Sequence, residues 1–435
     1  MTTKSPKCAI IGAGPAGLAS ARALSKAGID FRGFEQYEEV GGLWNIDNPK
    51  STVYESAHLI SSKTKTQFSE FPMGESVPDY PSHKQLRKYF ADFADSFGLS
   101  EKFQFNANVT KVEPKDAGWS LCWQSADGTQ NEEYCDAVLL ANGTLSEPNL
   151  PQFEGSFDGQ IIHSSEYKSP RIFANKRTLI VGAGNSGCDI AVDAVHHARS
   201  VAMSVRRGYH FVPKYVFGKP ADTLGGLVPL PRAIKQFVDS KLLKLFTGDP
   251  ERFGFPPADH KLYESHPIVN SLVLHHLGHG DLSVMPDIVR LDGDSVVFKD
   301  QRREAFDLIV LATGYKLHYP FIDKKHLNWQ GAAPELYLNT FHPQYNNLFV
   351  MGMVEAAGIG WQGRMEQAEM VAAFIAGMAA SSVGANYLVD KKAQTLPDMR
   401  GRFDYIKLDR MAYYVHNETF RKAMREHLRA LSQGE

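Results

Sequence analysis

Residues 7–28 read KCAIIGAGPAGLASARALSKAG, and their pattern decides the fold. An apolar, partly β-branched run, residues 7–11, enters a turn with glycine at positions 12, 14 and 17. Leu18, Ala21 and Leu24 then recur at helical spacing, and Gly28 offers a helix stop. A second apolar run, IDFRGF, ends at Glu35, 18 residues beyond Gly17. The order is strand, glycine turn, helix, strand, acid. Gly12 serves the turn's dihedral, Gly14 the close approach of a pyrophosphate, and Gly17 the packing of helix on strand. Ala13, Pro15 and Ala16 place the helix N-terminus, with its amide hydrogens and positive dipole end, against the phosphates. A carboxylate at Glu35 can accept hydrogen bonds from both ribose hydroxyls. A GxGxxG alone is a weak signal, because a plain structural turn can carry it. In this context it predicts a dinucleotide site.

The pattern returns in the middle of the chain. RTLIV (177–181) leads into Gly182-Ala183-Gly184-Asn185-Ser186-Gly187, the helical stretch CDIAVDAVHHA, and the strand-like SVAMSV (200–205). The two units lie about 170 residues apart, a repeat of fold rather than of sequence. Where the first unit has Glu35, the second has Arg206 and Arg207. An acid there would repel a 2′-phosphate, whereas guanidinium groups pair with it, so the second site favours NADPH over NADH. The alternative is that both arginines are ordinary surface charges. Two dinucleotide sites in one chain imply electron traffic, usually between a tightly held flavin and an exchangeable nicotinamide. Two more apolar runs closed by glycine, DLIVLATGY (307–315) and NLFVMG (347–352), read as strands. The second precedes a long helix beginning near Arg364. The predicted fold is α/β with two Rossmann-like dinucleotide-binding domains.

Composition narrows the class. A chain of 435 residues, 43% hydrophobic and 22% charged, has room for about two to four domains. Its net charge of −2 removes the electrostatic case for a dedicated nucleic-acid binder. Cys8, Cys122, Cys135 and Cys188 form no CxxC pair, so neither a disulfide scaffold nor a zinc ribbon is expected. Cys188, without a partner thiol, reads as helix packing, which argues against a dithiol reductase. His275, His276 and His279 include an i, i+4 pair, but flavin chemistry needs no metal and none is expected. The N-terminus shows no signal-peptide pattern. Met370–Ala380 is too short to span a bilayer and reads as a buried helix. These features suggest a soluble, cytoplasmic protein. Residues 53–115 mix polar turns with an amphipathic stretch, 211–262 read as an irregular insertion, and the tail from 396 reads as a charged surface helix.

In these residues the chain resembles the flavin-containing monooxygenases, class B flavoprotein monooxygenases. The class signature FxGxxxHxxx plus an aromatic is present from Phe157 through Gly159 and His163 to Tyr167. Tyrosine in the last place is similar to the branch that oxygenates nitrogen or sulfur, whereas the Baeyer–Villiger branch has tryptophan. Gly41-Gly42-Leu43-Trp44, Phe68-Ser69-Glu70-Phe71-Pro72, Gly184-Asn185-Ser186-Gly187-Cys188-Asp189, Ser204-Val205-Arg206-Arg207-Gly208, Ala312-Thr313-Gly314-Tyr315 and Gln367 resemble further family segments.

The resemblance implies FAD on the first turn, with Glu35, Leu43, Trp44, Ser61 and Gln367, and NADPH on the second. It implies a three-layer ββα architecture with the NADPH domain (171–284, carrying the insertion 211–262) inserted between two parts of the FAD domain, 1–170 and 285–435. Aligning Ser61-Ser62-Lys63 with the family's N[ST]SK segment puts Ile60 where an active-site Asn sits. Ile60, Ser61 and Ser62 are therefore the candidate catalytic positions, and isoleucine cannot donate a hydrogen bond. His163, with Gly159 and Tyr167, anchors the linker. The implied reaction uses a C4a-hydroperoxyflavin to oxygenate nitrogen or sulfur of a small molecule, with O₂ as co-substrate. The alternatives are a Baeyer–Villiger or keto-acid decarboxylating (indole-pyruvate-like) oxygenase and, more weakly, an NADPH oxidase or sensor. The substrate pocket is expected from residues 53–80, 211–262 and Met351–Trp361, and a homodimer is a family-level expectation.

Overall fold

Four consecutive buried residues, Cys8–Ile11, form the middle strand of a five-stranded parallel sheet in the computed structural model, which describes residues 6–224 and 231–432. The order is Leu348–Val350, Ala137–Leu140, Cys8–Ile11, Phe31–Phe34, Phe103–Gln104. Strands covered on both faces need apolar residues at every position, which is why CAII, AVLL and LFV do not alternate. The second sheet repeats the design with Gln160–His163, Leu308–Leu311, Arg177–Val181, Ser200–Ser204 and Leu282–Met285, all parallel.

Helix Pro15–Lys26 buries Leu18, Ala21 and Leu24 and packs along helix Gly360–Ala379. Burying a leucine or phenylalanine side chain contributes roughly 1.5–3 kcal/mol. Met370, Val371, Phe374 and Ile375 are all buried in the second of these helices, as core rather than lipid-facing residues. No single helix among the described residues is long and apolar enough to cross a membrane. The terminal helix Asn417–Ser432 buries Phe420, Met424 and Leu431 and leaves its charged face outside.

Two expectations need correction. The chain crosses between the two units at Glu147–Pro148 and returns at Tyr315–Lys316, and these crossings pair as an antiparallel ribbon. Thr313 Oγ1 donates to Asn149 O at 2.6 Å and Asn149 N to Gly314 O at 2.9 Å. Strands Gln160–His163 and Leu308–Leu311 both belong to the second sheet, outside the expected 171–284. The second sheet recruits two neighbouring strands on one side from flanking chain, so its boundary lies where the backbone hydrogen bonds change sheet. The expected irregular insertion contains a regular helix, Arg232–Thr247, with Phe237 and Leu245 exposed. Residues 225–230 of that insertion, and 1–5 and 433–435 of the flanking parts, lie outside the described residues.

Candidate active site

The two glycine turns have the same build. Gly12 (φ +101°) and Gly182 (φ +104°) occupy backbone conformations that side chains resist, and a Cβ on either would come within 2.6 Å of a carbonyl, Ala141 O or Ala312 O. A Cβ on Gly17 or Gly187 would overlap the carbonyl of Gly12 or Gly182. The middle glycines differ in kind. A Cβ on Gly184 would meet nothing within 4 Å, and one on Gly14 only Gly42 Cα at 3.7 Å. The protein does not need glycine there for its own packing, so the space above each helix N-terminus suits a phosphate group approaching the backbone.

The side chains around the turns divide the same way. Glu35 is buried, with Oε2 accepting Ala13 N–H at 2.7 Å and Oε1 accepting Tyr37 N–H at 3.0 Å. Burial raises its pKa, and those backbone donors work against the rise. Its remaining lone pairs can take ribose hydroxyls. Arg206 is exposed and has no ion pair or side-chain hydrogen bond among the described residues. Arg207 is anchored by Asp259 at 3.4 Å, and its Nε and Nη1 are buried without partners among the described residues. Such orphaned donors fit an anionic ligand. A Cβ on Gly208 would collide with the backbone of 256–258, so this glycine serves packing.

The family model FMO-like, flavin-binding monooxygenase-like, matches residues 5–416. The chain belongs to this family. Its members are flavin-dependent monooxygenases that work with FAD and NADPH, and the residues around both turns fit such dinucleotides. Flavin-containing monooxygenase 1 of Oryctolagus cuniculus is 31% identical over 380 residues, covering 81% of this chain and 70% of its own. Among solved structures, S-allyl-L-cysteine S-oxygenase from Allium sativum superposes with a TM-score of 0.66 at 20% identity, over 99% of this chain and 88% of its own. The open form of cyclohexanone monooxygenase gives 0.72 at 17% identity, over 99% of both chains.

Several motif residues of this FMO-like chain bind protein rather than empty space. Asn185 accepts Val269 N–H at 2.8 Å and donates to Pro267 O at 3.1 Å. Asp189 accepts from Asn270 Nδ2 at 2.6 Å and Tyr54 Oη at 3.2 Å, and burial raises its pKa despite them. Cys188 is buried, with Sγ 3.6 Å from Ala183 O, and burial pushes its thiol pKa well up. Ser186 is exposed. Gln367 is fully buried, accepting Gly352 N–H at 2.8 Å and donating to Thr340 Oγ1 at 2.6 Å. His163 accepts Ser165 N–H on Nδ1 at 3.2 Å, which leaves the proton on Nε2 to donate to Gly314 O at 3.1 Å. Its pKa is lowered by burial, so the ring is a neutral tie from the end of strand Gln160–His163 to the return crossing.

The expected pocket segments meet. Ile60 is half-buried. Ser61 Oγ lies 2.6 Å from Thr66 Oγ1, and Ser62 N–H donates to Asp222 Oδ2 of the insertion at 2.7 Å. Tyr80 Oη donates to Lys214 O at 2.5 Å, and Ser69 N–H to Gln362 Oε1 at 2.8 Å. Trp44 meets Trp361 edge-on at 6.2 Å.

Sequence reasoning missed Asp193, whose Oδ2 accepts from Ser56 Oγ at 2.5 Å and Tyr167 Oη at 2.7 Å. Its position four residues after Asp189, one helical turn on, was the available signal. It also missed Glu355, Arg364, Arg410 and His266, which no local motif marks. His276, His279 and Asp281 bring ligand atoms within 4.8 Å of one another at an exposed helix end, while His275 lies outside that group.

Proposed function

We propose that the chain is an NADPH-dependent, FAD-containing monooxygenase that oxygenates nitrogen or sulfur of a small molecule. The observation that carries this reading is the pair of like-built glycine turns, one followed by a buried carboxylate and the other by Arg206 and Arg207. FAD, reduced by NADPH and exposed to O₂, would supply the oxygen atom that is transferred. The protein's part is to bind, orient and exclude water. Gly14 and Gly184 would admit the pyrophosphates, and Glu35 would hold the ribose of FAD. Arg206, with Arg207 oriented by Asp259, would pair with the 2′-phosphate of NADPH. Residues 150–313 form the inserted NADPH unit in this reading; Asp189 and Asp193 fix it against Tyr54 and Ser56, and Tyr167 holds Asp193 from within the unit. Leu43 and Trp44 flank the flavin side, and the packed segments 60–66, 211–224 and 351–361 close the reaction space.

The test is to measure sulfoxide or N-oxide formed per NADPH consumed with aryl sulfides and tertiary amines, alongside ketones. Oxygenated product from sulfide or amine, with NADPH preferred to NADH, supports the reading. NADPH consumption that ends entirely in hydrogen peroxide with every compound would refute it. A second reading is Baeyer–Villiger or keto-acid decarboxylating oxygenation: Ile60, which removes the amide expected beside the flavin, favours the keto-acid form, and Tyr167 weighs against the Baeyer–Villiger form. Esters or decarboxylated acids as the products would select it.

A further inference from the structure

Glu355, Arg364, Arg410 and His266 come from three separate stretches and meet between the two glycine turns. A Cβ on Gly352 would lie 2.8 Å from Ala16 Cβ of the first turn and 3.9 Å from Arg364 Nε. On the other side, His266 precedes Pro267, whose carbonyl accepts from Asn185 at the second turn. Arg410 Nη2 donates to Glu355 Oε2 at 2.7 Å, and His266 Nδ1 lies 3.4 Å from Tyr414 Oη. Glu355, Arg364 and His266 are each half-buried, so part of every side chain stays open to a ligand.

The charges in this group do not balance. Burial works against the Glu355 carboxylate, but Arg410, which also hydrogen-bonds it, outweighs that with a smaller contribution from Arg364 and holds the group below its ordinary range. Burial pushes the His266 pKa down to about 4, so the ring is neutral at pH 7. Glu355 and Arg410 cancel, and Arg364 is left over. Among the described residues it has no ion pair, and its one hydrogen bond runs from Nη1 to Gly360 O at 2.8 Å. A guanidinium cannot shed its proton, and enclosing one without a counter-ion is costly.

We propose that Arg364 binds the carboxylate of the substrate, so that the molecule oxygenated is a small acid with its reacting atom at the other end. This rests on the monooxygenase reading above. The planar fork of donors suits a carboxylate in two-point contact, and an anion there supplies the charge the cleft lacks.

The test uses the flavin-loaded full chain with methylthioacetate and its methyl ester. The ratio of kcat/KM for acid over ester should fall about 10- to 100-fold in Arg364→Gln. Arg364→Lys, which keeps the charge, should recover part of it and serves as the folded control. Titrating the acid into oxidised enzyme and following flavin absorbance reads binding without turnover, and Arg364→Gln should weaken Kd by a similar factor. An unchanged ratio together with an altered flavin content or reduction potential would assign Arg364 to the cofactor and overturn the proposal. Wild-type enzyme that does not bind the acid would overturn it too. Binding that depends on Arg364 without oxygenation of acid or ester would uphold the site and sink the oxygenation reading instead.

Discussion

Replacing Asp193 with alanine removes one carboxylate that holds two segments onto helix Asn185–Val195. Ser56 Oγ donates to it at 2.5 Å and Tyr167 Oη at 2.7 Å. Hydrogen bonds to a charged group contribute about 1.5–3 kcal/mol each, which bounds the loss at about 3–6 kcal/mol. Asp193 is half-buried, so water replaces part of what Ser56 loses and the expected cost is nearer 3 kcal/mol. Tyr167 is 1% exposed, and its hydroxyl has no such recourse. Tyr167→Phe keeps the ring against Tyr54 and Phe173, both at 5.2 Å between centroids, and should cost about 1–2 kcal/mol. The two substitutions share a hydrogen bond, so a double-mutant cycle should return a coupling of about 1–2 kcal/mol. Thermal unfolding followed by flavin fluorescence measures stability, and peroxide released per NADPH measures the fit of the two units. Because the Ser56 bond ties this unit to the first, the peroxide fraction should rise in Asp193→Ala more than in Tyr167→Phe. Additive stabilities and an unchanged peroxide fraction would refute the reasoning.

Three further outcomes follow from local geometry. Gly17→Ala places a methyl group on the Gly12 carbonyl, so the purified protein should carry little flavin by absorbance, whereas Gly28→Ala, with open space around it, should retain flavin despite its positive φ. Arg206→Gln should raise KM for NADPH about tenfold or more and leave KM for NADH within about twofold, and equal changes for both would place Arg206 off the phosphate. His342 is buried, and its Nδ1 accepts the N–H groups of Gln344 at 3.1 Å and Tyr345 at 2.9 Å, so protonation at Nδ1 breaks both bonds. Burial lowers its pKa from 6.5 to about 4. A depressed folded-state pKa gives stability that is complete above pH 6.5 and lost as pH falls toward 4. Stability in that window should fall less steeply in His342→Gln, by up to about 3 kcal/mol over the range, and parallel curves would exclude the assignment.

The sequence made the parallel sheets and both turns legible because burial on two faces and a missing Cβ leave direct marks in residue type. CAII and LIVL can hardly be solvent-facing, and Gly12 and Gly182 can hardly be replaced. The unit boundary left no such mark. Glu147–Pro148 and Tyr315–Lys316 pair through backbone atoms, which any residues could supply, so the crossing ribbon is invisible to composition. Helix Arg232–Thr247 escaped for a different reason. Of its side chains only Gln236 is buried, so no apolar stripe faces a core and helical periodicity has nothing to register.

Within the site, a motif mixes two kinds of constraint that only coordinates separate. In Gly184-Asn185-Ser186-Gly187-Cys188-Asp189, Gly184 faces open space, while Asn185, Cys188 and Asp189 contact the protein itself. Asn185 fixes 267–269 and therefore the backbone that carries His266, so a substitution there would change the cleft as well as the turn. The same holds for Gln367, which fixes Gly352 between Ala16 and Arg364. These residues act on ligands through the backbone they hold. Their loss should therefore shift cofactor and substrate constants together, whereas loss of Arg206 or Arg364, which protein contacts leave partly unoccupied, should shift one and spare the other.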